Sequence, residues 1–162
     1  MARRKPRKPA ALPRDTECIK FSTESSLHVS EEGVGATFLN HRRKELRAIE
    51  YDGCYCRVAN QGRADFIIGY DRAIDVILEL KGSDLKHATN QVVDTLERWR
   101  TDPIRYRQLV CLIVFGHAIP RMRSNIGVME REFLNRYRTL LWVRESGSER
   151  FSFRQLAGRS DA

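Results

Sequence analysis

Three residues near the middle of the chain have the types and spacing of a hydrolytic centre. Asp65 stands in "ADFIIGY" (64–70), and Glu79 and Lys81 stand two positions apart in "IDVILELK" (74–81). Both segments read as strands, rich in β-branched and aromatic residues, and only "DRA" (71–73) separates them. If those three residues form a hairpin loop, position 70 faces 74. The pairing then runs back through 68 with 76, 67 with 77 and 66 with 78, and places 65 opposite 79. Facing side chains have Cβ atoms roughly 4.5–5.5 Å apart, so two carboxylates are forced together. Repulsion and partial burial raise the pKa of at least one of them unless a cation lies between. A divalent metal resolves the conflict, because Mg²⁺ takes one or two protein carboxylates, keeps several waters and completes its shell with phosphate oxygens. Lys81, on the same face, can neutralise the acids, orient or help deprotonate an attacking water, or stabilise charge on a phosphate. An ordinary strand-end salt bridge is the plainer reading of Lys81. Against it stands the conjunction of two acids, a lysine and a basic chain.

The elements that must position these residues follow from the pattern around them. Phe66, Ile68 and Tyr70, with Ile74, Val76, Leu78 and Leu80, form the opposite face of the hairpin. That face is apolar throughout, and it pins the register because a one-residue slip would bury the acids instead. After the hairpin, Leu85, Ala88, Val92, Leu96 and Trp99 recur at three- and four-residue steps, a core-facing helix stripe capped by Ser83 or Asp84 and ended by Asp102-Pro103. "QLVCLIVFGH" (108–117) is the most continuously apolar strand and is expected at the centre, covered on both faces. A helix over 127–138 follows, then the strand "LLWVRE", a turn at "SGSE" and a last strand "RFSF". Upstream, residues 46–56 read as a strand and residues 15–45 as helical or irregular. The sum is a single α/β domain with a central mixed sheet flanked by helices.

Length and charge are consistent with that plan. A chain of 162 residues, 41% hydrophobic, can bury a core without metal or disulfide staples. Its net charge of +8 favours polyanionic partners. "MARRKPRKP" holds Arg3, Arg4, Lys5, Arg7 and Lys8, and its prolines oppose a helix. Residues 1–14 therefore read as a disordered basic arm able to contact phosphates, 15–156 as the folded domain and 157–162 as a flexible tail. No apolar run reaches the roughly 18 residues of a membrane span. Cys18, Cys54, Cys56 and Cys111 show no metal or disulfide framework and read as reduced thiols in a cytoplasmic protein. His28, His41, His87 and His117 share no catalytic spacing, and the runs "HRRK" and "RMR" are basic faces available to phosphates.

With Asp65 in "ADF" and Glu79-Leu80-Lys81 in "ELK", the sequence resembles the PD-(D/E)xK nuclease superfamily, over residues 45–115. There an acid on one strand is followed by an E-x-K on the next and then by a helix. "DGC" (52–54) together with "ELKGSDLKHATNQ" is also similar to a group of small bacterial proteins with this core. The residue before the acid is Ala64 and not proline, a departure that weakens the pattern more than the chemistry. The resemblance implies a restriction endonuclease-like core. In it Asp65 and Glu79 bind Mg²⁺ or Mn²⁺, the Leu80 carbonyl adds a ligand, and Lys81 assists the water nucleophile. Gln91, on the following helix, matches a glutamine that some members use to hold the site. Asp52 is the preferred third acid, with Glu50 alternating beside it on the preceding strand, and Glu31, Glu32 and Glu45 are further candidates if a helix before the sheet supplies that acid. The expected activity is metal-dependent hydrolysis of DNA phosphodiesters, in a prokaryotic repair, mobile-element or defence setting. A homodimer or a recruiting partner protein would supply targeting that so short a chain lacks. The alternative is a non-catalytic nucleic-acid-binding or assembly module on the same fold.

Overall fold

The computed structural model describes residues 16–116, 125–147 and 150–158. The basic arm with Arg3, Arg4, Lys5, Arg7 and Lys8 lies outside the described residues, as do His117, the "RMR" run and residues 159–162.

The hairpin expected from the sequence is present. β5 (Phe66–Tyr70) pairs antiparallel with β6 (Ile74–Lys81), with Tyr70 opposite Ile74, Ile68 opposite Val76, Ile67 opposite Ile77 and Phe66 opposite Leu78. Asp71 and Arg72 both take positive φ (51° and 53°), which turns the chain within three residues. β4 (Leu46–Glu50) lies antiparallel on the other side of β5. β1 (Ile19–Ser22) pairs with β4 at the sheet edge. After β6, α1 (Leu85–Trp99) carries the chain over to β7 (Gln108–Phe115), which runs parallel to β6. α2 (Ile126–Tyr137) then leads to β8 (Leu140–Glu145), parallel to β7. The result is a mixed six-stranded sheet ordered β1-β4-β5-β6-β7-β8. Parallel pairing needs the helical crossovers that the periodic stripe foretold.

Residues 15–45, expected to be helical or irregular, instead hold a 3-10 turn (Thr16–Cys18), β1 and a second hairpin. In that hairpin β2 (Ser26–Glu31) and β3 (Val34–Leu39) meet at Glu32-Gly33, both with positive φ. β2 alternates exposed and half-buried side chains before its exposed end and β3 alternates buried and half-buried ones, a short pattern easily lost among Ser, Thr and Glu. β9 (Arg150–Ser152) adds to β3 in parallel, and the one-turn α3 (Phe153–Leu156) follows. The large sheet is therefore not flanked by helices on both sides. α1 and α2 pack on the face of Ile67, Ile77, Cys111 and Ile113, and the small sheet with α3 packs through Phe38, Phe151 and Phe153 on that of Val76, Leu78 and Leu112. Ala157 is held by Gln108 Nε2 at 3.1 Å. Both faces of β6 are covered, so the acid-bearing face is interior as well.

On the helical face, Asp75 is fully buried and accepts from Arg47 (2.6 Å), the Trp99 indole (2.9 Å) and the Tyr106 N–H (2.7 Å). Gly69 faces Asp75 across the hairpin, where a Cβ would lie 2.9 Å from Asp75 Oδ1 and 2.6 Å from the Tyr106 ring, so only glycine fits.

The reading of four reduced thiols is corrected. Cys18 and Cys54 are bridged, with Cα atoms 5.7 Å apart, whereas Cys56 and Cys111 are free and buried. The pairing of Ile19 with Ile49 brings the start of β1 beside the turn after β4, and that juxtaposition is not visible in cysteine spacing. The cysteines thus no longer argue for a reducing compartment. The bridge spans 36 residues, and opening it is expected to cost about 3 kcal/mol, read as a lower urea midpoint with reductant or in Cys54→Ser. An unchanged midpoint would show that the bridge does not constrain the unfolded chain. Among the described residues no helix is long and apolar enough to cross a membrane.

Candidate active site

Asp65 and Glu79 sit at the open end of the β5–β6 hairpin, and each is bonded to the backbone of the other strand. The Leu80 N–H donates to Asp65 Oδ2 at 2.7 Å, and the Asp65 N–H lies against the Glu79 carboxylate. Both side chains are interior, 7% and 2% exposed. Glu79 Oε2 is buried with no hydrogen-bond partner. Burial, then the Asp65 charge, pushes the Glu79 carboxyl up to about 9, against the pull of Lys81 and the Asp65 N–H. Asp65 is pushed up to about 7 by burial and by the Glu31 carboxyl, which lies within hydrogen-bonding reach, while the Leu80 N–H pulls it down. Lys81, the last residue of β6, is half-buried.

Glu31 reaches this point because the tight β2–β3 turn folds over the ends of β6 and β7. A Cβ on Gly116, just after β7, would lie 2.8 Å from Val34 Cγ2. Glu31 was one of several acids the sequence offered as a third, but on a helix; it arrives on a strand end. Asp52 is placed differently. Its carboxylate accepts from Arg63 Nε at 2.7 Å, and it acts on Asp65 only as a more distant charge. Glu50 ends β4 exposed, and Glu45 pairs with Arg72 at 3.1 Å, at the other end of the hairpin from the acids.

α1 fixes the segment leading into Asp65. Gln91 Nε2 donates to the Arg63 carbonyl at 3.2 Å, the Ala64 N–H to Thr95 Oγ1 at 2.8 Å, and the Gly62 N–H to Asp94 Oδ2 at 3.0 Å. Arg98 bonds the Gly62 carbonyl and, at 2.6 Å, Gln61 Oε1. A Cβ on Gly62 would fall 2.6 Å from that Asp94 oxygen, so the loop approaches the helix closely only as glycine. Gln91 therefore positions the backbone before Asp65, and its Oε1 is buried without a partner. Sequence reasoning found Gln91 but missed Asp94, Thr95 and Arg98, whose polar character reads as a solvated helix flank. His87 serves at the N-terminus of α1, its N–H bonded to Asp84 at 3.0 Å.

The residues can be tested against a divalent cation. Among the described residues no group of three or more His, Cys, Asp or Glu is arranged to hold a metal ion. Two interior carboxylates, one with an unpartnered oxygen, fit a hard cation that keeps most of its shell as water, and do not fit a closed cage. The same feature sets the pH dependence of folding. Asp65 and Glu79 have ordinary values of 3.8 and 4.5, so their values of about 7 and about 9 mean that the folded chain binds these protons more tightly. Their contribution is fully present below about pH 4 and is lost as the pH rises through 7 and 9. Without divalent cations, stability is expected to fall by at least about 2 kcal/mol between pH 5 and pH 9 in denaturant melts. Asp65→Asn/Glu79→Gln should flatten the fall, and Mg²⁺ should restore stability at pH 9 but little at pH 5. A melt indifferent to Mg²⁺ at both values would argue against a cation here.

No protein family, curated protein or solved structure compared with this chain matches it.

Proposed function

We propose that the protein is a metal-dependent phosphodiester hydrolase, and more narrowly a DNA nuclease of the PD-(D/E)xK kind. The observation that carries this reading is the pair of interior carboxylates, Asp65 and Glu79, held across a hairpin with an unpartnered oxygen on Glu79 and Lys81 at the strand end. The succession β4, β5, β6, α1, β7 supports it, because it gives the strand-strand-strand-helix-strand unit of that superfamily as five consecutive elements. Asp65 and Glu79, with the Leu80 carbonyl, would hold Mg²⁺ or Mn²⁺. A bound cation of this kind supplies charge neutralisation at a phosphoryl group and a more acidic water. Lys81 adds positive charge where negative charge develops on the phosphate, and orients the attacking water. Gln91 and the rest of the α1 clamp keep the Asp65 backbone from moving. The +8 chain supplies attraction to the polyanion.

The second reading is a nucleic-acid-binding or assembly module without chemistry, which the basic charge of the chain serves equally well. Purified protein incubated with plasmid, linear and branched DNA, with Mg²⁺ and with EDTA, separates the two. Mg²⁺-dependent cutting supports the nuclease, and binding with no cutting on any substrate supports the module.

A further inference from the structure

A second candidate site lies at the other end of the sheet. β6 and β7 run parallel from Ile74 and Gln108 toward Lys81 and Phe115, and the acid pair is near the latter end. Around the former end, a cavity of about 630 Å³ is lined by Arg100, Arg105, Arg107, Arg136 and Arg138, and among the described residues no Asp or Glu lines it. Glu79 lies five residue steps along the strand from Ile74, so the two places are about 17 Å apart along β6.

The five arginines do not have the same task. Arg100 is structural: its guanidinium bonds the Tyr137 carbonyl and Thr139 Oγ1 and pairs with Glu97 at 3.8 Å, tying the end of α1 to the end of α2. Arg105, Arg107, Arg136 and Arg138 are exposed, and none has an acidic partner among the described residues. A helix C-terminus favours cations, which accounts in part for Arg136 and Arg138. It does not account for Arg105 and Arg107, on the segment leading into β7, nor for an arginine at the left-handed cap of α2 (φ 55°), a position that favours glycine.

We infer that this groove binds the sugar-phosphate backbone of a nucleic acid, independently of the acid pair. One phosphate is satisfied by one or two guanidinium groups, whereas four without an acidic partner, one of them (Arg136) 5.4 Å over the Tyr137 ring, spread over two chain segments and suit several phosphates in a row. The basic surface also continues. A neighbouring cavity of about 440 Å³ shares Gln108 and carries Arg42 and Lys44 with His41, against one acid, Asp71. An anionic membrane is a poorer fit, since among the described residues only Leu134 of the exposed large hydrophobic ones lines the groove.

The test is duplex-DNA affinity measured by fluorescence anisotropy across a salt series in EDTA, which keeps it separate from any cutting. Arg105→Gln/Arg107→Gln/Arg138→Gln is expected to weaken binding tenfold or more and to reduce the slope of log K against log salt by about 2–3. Lys81→Ala should change that slope by no more than about 1. Equal affinity and slope in the triple variant would overturn the inference, as would lost binding to phosphatidylserine vesicles with DNA binding intact. Dicarbonyl labelling of arginines in the unmodified chain covers the case of a variant that fails to fold. Duplex DNA should protect Arg105 and Arg107, and equal protection by inorganic phosphate at the same phosphate concentration would refute a backbone site.

Discussion

Glu79→Gln and Lys81→Ala should each lower Mg²⁺-dependent DNA cleavage on the order of a thousandfold, while leaving the fold intact. The two variants fail for different reasons. Glutamine keeps the shape of Glu79 but cannot carry negative charge, so on the proposed mechanism it removes a ligand of the cation. In the cation-free chain the Glu79 carboxyl, held up to about 9 by burial beside Asp65, is already protonated near neutral pH. Stability of Glu79→Gln is therefore expected within about 1 kcal/mol of the parent, or above it at high pH. Lys81→Ala removes a half-buried positive charge that acts on Glu79, and the Glu79 carboxyl should then titrate still higher. Cleavage assays paired with thermal melts read both effects, and cutting that survives in both variants would sink the mechanism.

Asp75→Ala should cost about 3–5 kcal/mol of folding stability with no direct effect on the acid pair. The substitution leaves the Arg47 guanidinium, 4% exposed, without its counter-charge, although it keeps a 2.7 Å bond to the Ile104 carbonyl and lies 3.7 Å over the Tyr106 ring. It also orphans the Trp99 indole N–H and the Tyr106 amide. Burial pushes the Asp75 carboxyl up, and Arg47, the Tyr106 N–H and the Trp99 indole pull it back. Arg47→Met/Asp75→Leu removes both charges and should cost much less than the two single changes added together. Additive losses in urea melts would mean that the pair is not coupled.

The part of the molecule that was legible in the sequence is the part built from local pattern. The β5–β6 register followed from an apolar alternation and a three-residue loop, and the α1 stripe from its spacing. Gln91 was singled out through the resemblance, because it matches a glutamine that some members of that superfamily place on this helix, and the local pattern alone reads it as a solvated flank. What was not legible depends on long-range placement. Nothing in "SLHVSE" announces that its last residue will meet Asp65, because the encounter is set by where the small sheet packs. Cys18 and Cys54 meet because β1 pairs with β4, and the sequence did not reveal β1. Asp75 went unremarked because one acid within an apolar strand has meaning only with Arg47, Trp99 and Tyr106 around it.

The small sheet joins distant parts of the chain. β3 pairs with β9, Thr37 beside Arg150, and together they close the face over Leu78 and Leu112. Its closure is thus a cooperative event that requires both segments at once, and neither can be released without exposing the same apolar surface. Because Glu31 is carried at the end of β2 in that sheet, its place beside Asp65 is thermodynamically linked to the docking of β9.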